Sequence, residues 1–253
     1  MKKYIIRRAL GLIPTLFIII TVSFFIIRLA PGGPFAREKA VPDEILRNLE
    51  RKYHMDDPLV VQYGRYLFDV LRFDLGPSFR YKDHDVNSLI AGSLPNSLIL
   101  GLVSLGAALT LGIAAGIVSA LKQNRLVDYT FMSVATVGIS IPLFVVGPVL
   151  MLVFAMRLGW LPTSGWITGR YGMQTLIMPA VTLTLPYFAY IARLSRASFL
   201  DVLRSDYVRT ARAKGLPGGI VIFRHVIRGG LLPVVSYIGP AFAQIVTGSV
   251  VVE

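Results

Sequence analysis

Five stretches of the chain stay apolar, or nearly so, for the length a bilayer demands: about 9–27, 94–121, 129–156, 174–192 and 231–252. A run of roughly 20 apolar residues is long enough to cross the hydrocarbon by itself. Water is absent there, so each backbone amide and carbonyl must be satisfied within the segment, which predicts a helix for every run. The pattern therefore predicts an all-α, polytopic membrane protein with five spans.

The segments between the runs differ in kind. Residues 1–30 hold a basic amino terminus and the first span. Residues 31–93 mix acids, bases and aromatics evenly, the pattern of a small water-facing domain. Within it Pro42-Asp43-Glu44 suits a helix start, because proline fits the first turn and acids favour the positive end of the helix dipole. Ile45, Leu49, Lys52 and Tyr53 follow as a rough amphipathic face. Residues 94–253 carry the other four spans, with one long polar insertion at 193–230.

Charge turns the runs into a topology. Hydrophobic content of 54% and a mean hydropathy of +0.64 exceed the roughly 45–50% apolar share of soluble domains. In a membrane chain, a formal charge of +12 reads as basic cytoplasmic loops, and no aromatic-interleaved basic patch points to nucleic acid. Lys2, Lys3, Arg7 and Arg8 place the amino terminus in the cytoplasm, and Lys122 and Arg125 mark a cytoplasmic turn. The basic residues of 193–228 belong on the same side, whereas the short loop 157–173 has only Arg157 and Arg170 and is read as external. That puts 31–93 outside as well. The first run is expected to be retained, since Arg28-Leu29-Ala30-Pro31 offers no small-residue cleavage site. With no cysteine, disulfides and thiolate chemistry are excluded.

Three features of the spans bear on function. Ser104, Ala108, Gly112, Gly116 and Ala120 form a stripe of small side chains on which another helix can pack closely. Pro142, Pro148, Pro179, Pro186 and the Gly239-Pro240 pair interrupt the third, fourth and fifth spans, as in pore-lining or moving helices and equally in static kinks. No ionisable residue falls inside any span as drawn, which argues against a proton-coupled carrier. Asn96, Thr184, Tyr187, Tyr237 and Gln244 are neutral polar residues that either line a wet translocation path or bond between helices. The chain has no G-x-x-x-x-G-K-[ST] loop, no H-E-x-x-H pair and only three scattered histidines, His54, His84 and His225. If transport is driven, energy must enter through another protein.

The insertion is the most distinctive segment. Ser205 or Asp206 can accept the first backbone donors of a helix, and Gly215 can take the left-handed conformation that ends one. This predicts a helix over 207–214, with Tyr207, Ala211 and Lys214 on one face and Arg209 and Arg212 elsewhere. Pro217 then opens a second helix, with Ile220, Phe223, Val226 and Ile227 apolar and Arg224, His225 and Arg228 polar. Such a basic hairpin lies on anionic headgroups or docks a cytoplasmic protein; Ala211, Ala213 and Gly215 suit close approach by a protein.

Tyr207-Val208-Arg209-Thr210-Ala211-Arg212-Ala213-Lys214-Gly215-Leu216, with Arg224-His225 and Leu232-Pro233, resembles the cytoplasmic coupling loop of ABC importer permeases in its dipeptide and oligopeptide form. Against the general E-A-A, three residues, Gly pattern, Arg209 and Thr210 stand where Glu and Ala would, Ala211 and Gly215 match, and Arg228 replaces the last proline. Arg7-Arg8-Ala9-Leu10, Ile13-Pro14, Ala30-Pro31-Gly32, Phe73-Asp74-Leu75-Gly76-Pro77-Ser78, Ser140-Ile141-Pro142-Leu143-Phe144 and Gly159-Trp160-Leu161-Pro162 are similar to other segments of that group. The resemblance implies a permease subunit in a bacterial inner membrane, with coupling to ATPases through Tyr207, Val208, Arg209, Thr210, Ala211, Arg212, Lys214 and Gly215. It also implies a second homologous permease, two cytoplasmic ATPase subunits that bind ATP and Mg, an external peptide-binding protein, and no cofactor in this chain. The family has six spans, so a further helix is expected beyond Glu253 and the chain is expected to be truncated. Oligopeptides are the leading cargo; dipeptides, nickel or glutathione are the variants within the group, and a non-transporting anchor for a cytoplasmic partner is the reading from another class.

Overall fold

The computed structural model describes residues 2–29, 55–78, 81, 84–167 and 169–248. Among them every regular element is helical, apart from an isolated antiparallel bridge between Pro77 and Asp85. The expected helix start at Pro42-Asp43-Glu44, its face Ile45 to Tyr53, and Glu253 lie outside the described residues.

The chain divides into two compact units, Met1–Gly92 and Ser93–Glu253. In the first, helix α1 (Lys2–Leu29) is apolar and exposed nearly all round. Helix α2 (Leu59–Leu71) is amphipathic and lies against it. Their contact is aromatic: the buried Phe24 ring has the Tyr63 and Tyr66 rings each at 5.4 Å, and the Tyr63 and Thr21 hydroxyls share a 2.6 Å hydrogen bond. After α2 the chain turns sharply at Phe73, which adopts φ +61°. Asn87 holds this turn, donating from Nδ2 to the Phe73 carbonyl at 2.5 Å and accepting the Leu75 amide at 3.0 Å.

In the second unit, α3 (Val86–Leu121) and α6 (Ile177–Leu203, preceded by a 3-10 turn at Gly172–Leu176) are the long helices. The small-residue stripe of α3 is their seam. Ser104, Ala108, Gly112, Gly116 and Ala120 are all buried. A Cβ on Gly112 would come within 2.9 Å of Ile191 Cγ2 and 3.1 Å of the Phe188 carbonyl oxygen. Higher on the same helix, a Cβ on Gly101 would sit 2.6 Å from Ile245 of α9 (Leu232–Gly248). Such approach collects dispersion contacts that a lipid-facing surface cannot.

The expected third span is two helices. Helix α4 (Leu126–Ser140) stops at Ile141, whose extended conformation (φ −89°, ψ 122°) is the one a following proline enforces. Helix α5 (Leu143–Leu150) restarts after Pro142 and runs into a π-helical turn, Met151–Arg157, at 102° to α4. The fourth span is longer than expected: α6 does not stop at residue 192 but carries Arg193, Arg196 and Asp201 to Leu203. Hydropathy ends there while the backbone hydrogen-bond ladder continues. Helices α7 (Asp206–Ala213) and α8 (Gly218–Gly230, π-helical over Val221–Val226) form the hairpin, and α9 leaves α8 at a 43° bend. Among the described residues, three helices are long and apolar enough to cross a membrane, or up to five spans if each bent pair counts as one.

Candidate functional site

Two features of the second unit carry the sequence-derived candidates. The first is the hairpin. Helix α7 begins one residue earlier than expected and ends at Ala213, with Lys214 as its cap and Gly215 at φ +75°, the left-handed position a helix–turn–helix needs. Ser205 precedes the helix, but its hydroxyl makes no cap; it turns back and donates to the Val202 carbonyl at 2.6 Å.

The inward face of α7 is Val208 and Ala211; of the residues expected to share a face, Tyr207, Ala211 and Lys214, only Ala211 is buried. Val208 and Ala211 lie in a cluster with Ala120, Phe199, Val221 and Val226. Ala211 therefore packs inside its own chain, and its small size serves α7–α8 packing. Tyr207 lies against α8, where a Cβ on Gly229 would come within 2.6 Å of its hydroxyl oxygen. What remains open is a basic, hydroxyl-bearing surface of Arg209, Thr210, Arg212, Lys214 and Gly215 with part of Tyr207, flanked by the exposed apolar Leu216, Ile220 and Phe223. The Arg209–Asp206 ion pair on it is long, 3.5 Å, and solvated, so it leaves the guanidinium open to a partner.

The second feature is a cavity of about 470 Å³, open to the surface. Its walls are Ile139 of α4, Leu143 of α5, Leu183, Pro186, Tyr187 and Tyr190 of α6, and Tyr237, Gln244 and Ile245 of α9. The break at Pro142 shapes it, because α4 ends and α5 turns away at its edge. Of the five neutral polar candidates, Tyr187, Tyr237 and Gln244 meet here. Thr184 does not: it is buried and donates to the Ser104 carbonyl at 3.2 Å, the packing alternative. Asn96, half-buried near the start of α3, is not part of the wall. Tyr190, which the sequence alone did not single out, stacks on Tyr237 with ring centroids 4.3 Å apart. The lining carries neutral polar groups and apolar surface and no formal charge, suited to ring stacking and to hydrogen bonds with amide groups.

A charged cluster also went unforeseen. Asp128, at the start of α4, is buried and accepts both Nε and Nη2 of Arg196 of α6, each at 2.6 Å. Both residues lie outside the apolar spans as drawn from sequence, but α4 begins at Leu126 and α6 runs to Leu203, so the helices take in Asp128 and Arg196. The two residues are 68 positions apart in sequence, and nothing local signals the pairing.

Comparison with known proteins gives these features a context. Residues 112–253 match the family model described as a binding-protein-dependent transport system inner membrane component, and residues 1–100 match the model of its N-terminal part. This chain belongs to that family. Along its whole length the permease is 53% identical to the oligopeptide transport system permease protein OppB of Salmonella typhimurium and 51% identical to OppB of Escherichia coli K12, covering 82% of each. It is 37% identical, again over its full length, to the dipeptide transport system permease protein DppB of Bacillus subtilis, of which it covers 81%. Among solved structures, an amino acid ABC transporter with histidines aligns with a TM-score of 0.50 over 66% of this chain and 71% of that one, at 17% identity, a likeness of fold. The permease is thus a multi-pass inner-membrane protein of the ABC importer type, and its relatives are transport proteins, not enzymes.

Proposed function

We propose that this permease is a membrane subunit of an ATP-driven, binding-protein-dependent importer of oligopeptides. The observation that carries the reading is the 53% identity over the full chain to an oligopeptide permease, against 37% to a dipeptide permease. A second homologous permease completes the path, an external binding protein delivers the peptide, and two cytoplasmic ATPases take ATP and Mg. In this arrangement the amino terminus and the segment 193–230 are cytoplasmic, and residues 31–93 are external.

The residues of the chain divide the work. The open face of α7, formed by Arg209, Thr210, Arg212, Lys214 and Gly215, docks an ATPase, while Val208 and Ala211 fix α7 to the body of the permease. Tyr187, Tyr237 and Gln244, with Tyr190, form this subunit's share of the peptide path. Nucleotide drives alternation only by favouring one arrangement of the assembly over the other. A rigid α7 lets that preference act on the spans.

The test is uptake by the complete complex reconstituted in proteoliposomes with its binding protein, over a series of labelled peptides from two residues upward. ATP-dependent accumulation of peptides longer than two residues is expected. Accumulation of dipeptides alone, or none with ATP inside, would refute the cargo or the transport role respectively.

A further inference from the structure

The Asp128 carboxylate has more bonds than a packing contact requires. Oδ1 accepts Arg196 Nε at 2.6 Å and also the Ser119 hydroxyl; Oδ2 accepts Arg196 Nη2 at 2.6 Å and the Asn124 backbone amide at 2.9 Å. The Asp128 side chain is 2% exposed and that of Arg196 26%. Three elements meet at this one group: the end of α3 through Ser119, the turn before α4 through Asn124, and α6 through Arg196. Asn124 itself takes φ +60°, a conformation Asn tolerates better than most residues, which aims its amide at the carboxylate. Outside the cluster, Arg204 Nη2 reaches Gln123 Oε1 of the same turn at 3.3 Å, a second tie in line with the first.

The position of the cluster matters as much as its bonding. Helix α6 carries Tyr187 and Tyr190 of the cavity wall, then Arg196, and ends next to Ser205, where α7 begins. Helix α4 starts beside Asp128, packs along α6 through Ala135 and Gly138, and brings Ile139 to the cavity wall just before the Pro142 break. The ion pair therefore joins the two walls at the end nearer α7. A fork-to-fork arginine–carboxylate pair resists rotation as well as separation, which a point-charge lysine pair does not. Stability alone gives little reason for a buried pair, since apolar residues of similar volume often serve as well.

We infer that Asp128 and Arg196 are positioning residues that make α4 follow α6, so that a displacement of α7 reaches both walls of the cavity together. This rests on the proposed coupling of α7 to an ATPase. The joint stays closed through the transport cycle and transmits; it does not open as a gate.

The experiment compares the wild-type complex with Arg196→Lys, Asp128→Asn and Ser119→Ala complexes in proteoliposomes, reading peptide imported per ATP hydrolysed and, separately, the yield of assembled complex. A purely structural role lowers uptake and hydrolysis together with assembly and leaves their ratio unchanged. The joint predicts a several-fold fall in the ratio for Arg196→Lys at normal assembly, a larger fall for Asp128→Asn, and a wild-type ratio for Ser119→Ala, which removes one hydrogen bond and keeps the fork. An unchanged ratio in Arg196→Lys overturns the inference, whether or not Asp128→Asn assembles. Failure of both variants to assemble also overturns it, in favour of a role in folding alone. Absence of ATP-dependent import by the wild-type complex would instead count against the proposed function.

Discussion

Gly116 of α3 faces Ser195 of α6 with no room for a side chain between them: a Cβ built on Gly116 would collide with Ser195 Cβ and come within 2.8 Å of the Ala192 carbonyl oxygen. One turn away, Gly112 meets Ile191 in the same manner. The seam between the two long helices depends on these two absent side chains.

Gly116→Val is therefore expected to destabilise the permease by more than the roughly 1–3 kcal/mol of ordinary overpacking, because the opposing atoms include backbone. Gly106, whose Cβ position has nothing within 4 Å, should accept alanine with little change. Detergent-solubilised thermal unfolding of the two variants checks the contrast.

Gly215→Asp should insert, fold and assemble its spans. A side chain there meets nothing within 4 Å, and the positive φ costs an L-residue about 1–2 kcal/mol, confined to the turn. The added charge sits on the proposed ATPase surface, so uptake is expected to fall while the membrane-integrated level of the protein, measured by quantitative blotting, stays near wild type.

Ala211→Trp reports on the fold of the permease more than on docking. The indole has no space among Phe199, Val221 and Val226, and the variant should lose thermal stability even as an isolated subunit. Replacing both Arg209 and Arg212 by Glu leaves that cluster intact; it should preserve the melting temperature of the isolated permease and weaken co-purification of the ATPases most at low salt, with the difference from wild type narrowing as salt is raised.

Tyr237→Leu removes a hydroxyl and the ring stacked on Tyr190 at 4.3 Å. If the cavity holds peptide in transit, uptake should fall while affinity of the external binding protein for peptide, measured by calorimetry on that protein alone, is untouched. Tyr237→Phe, which keeps the ring stack, should retain more transport than Tyr237→Leu.

How much of this was legible in the sequence depends on whether the cause was local. The apolar runs marked the helices, the four-residue repeat from Ser104 to Ala120 marked the α3 seam, and Gly215 marked the turn, each through a rule that acts over a few residues. Pro142 signalled a break, but nothing in the local sequence gives the 102° angle between the two helices. The extension of α6 to Leu203 was hidden because hydropathy reports the solvent while the helix ladder reports the backbone. The inward face of α7 was not legible for a related reason: a short basic helix with two alanines does not mark which side packs, and Phe199 with α8 selects the one holding Val208 and Ala211. Asp128 and Arg196 could not be paired from sequence, since each reads alone as a loop or helix-end charge.

The absence of cysteine from the chain makes the central claim, that the open face of α7 seats an ATPase subunit, directly measurable by single-cysteine cross-linking in the assembled complex. A cysteine at the exposed Thr210 should cross-link to an ATPase subunit through a short bifunctional reagent, and one at the buried Val208 should not. Free modification of the Thr210 cysteine by a water-soluble maleimide in the assembled complex, with no ATPase captured, would contradict it.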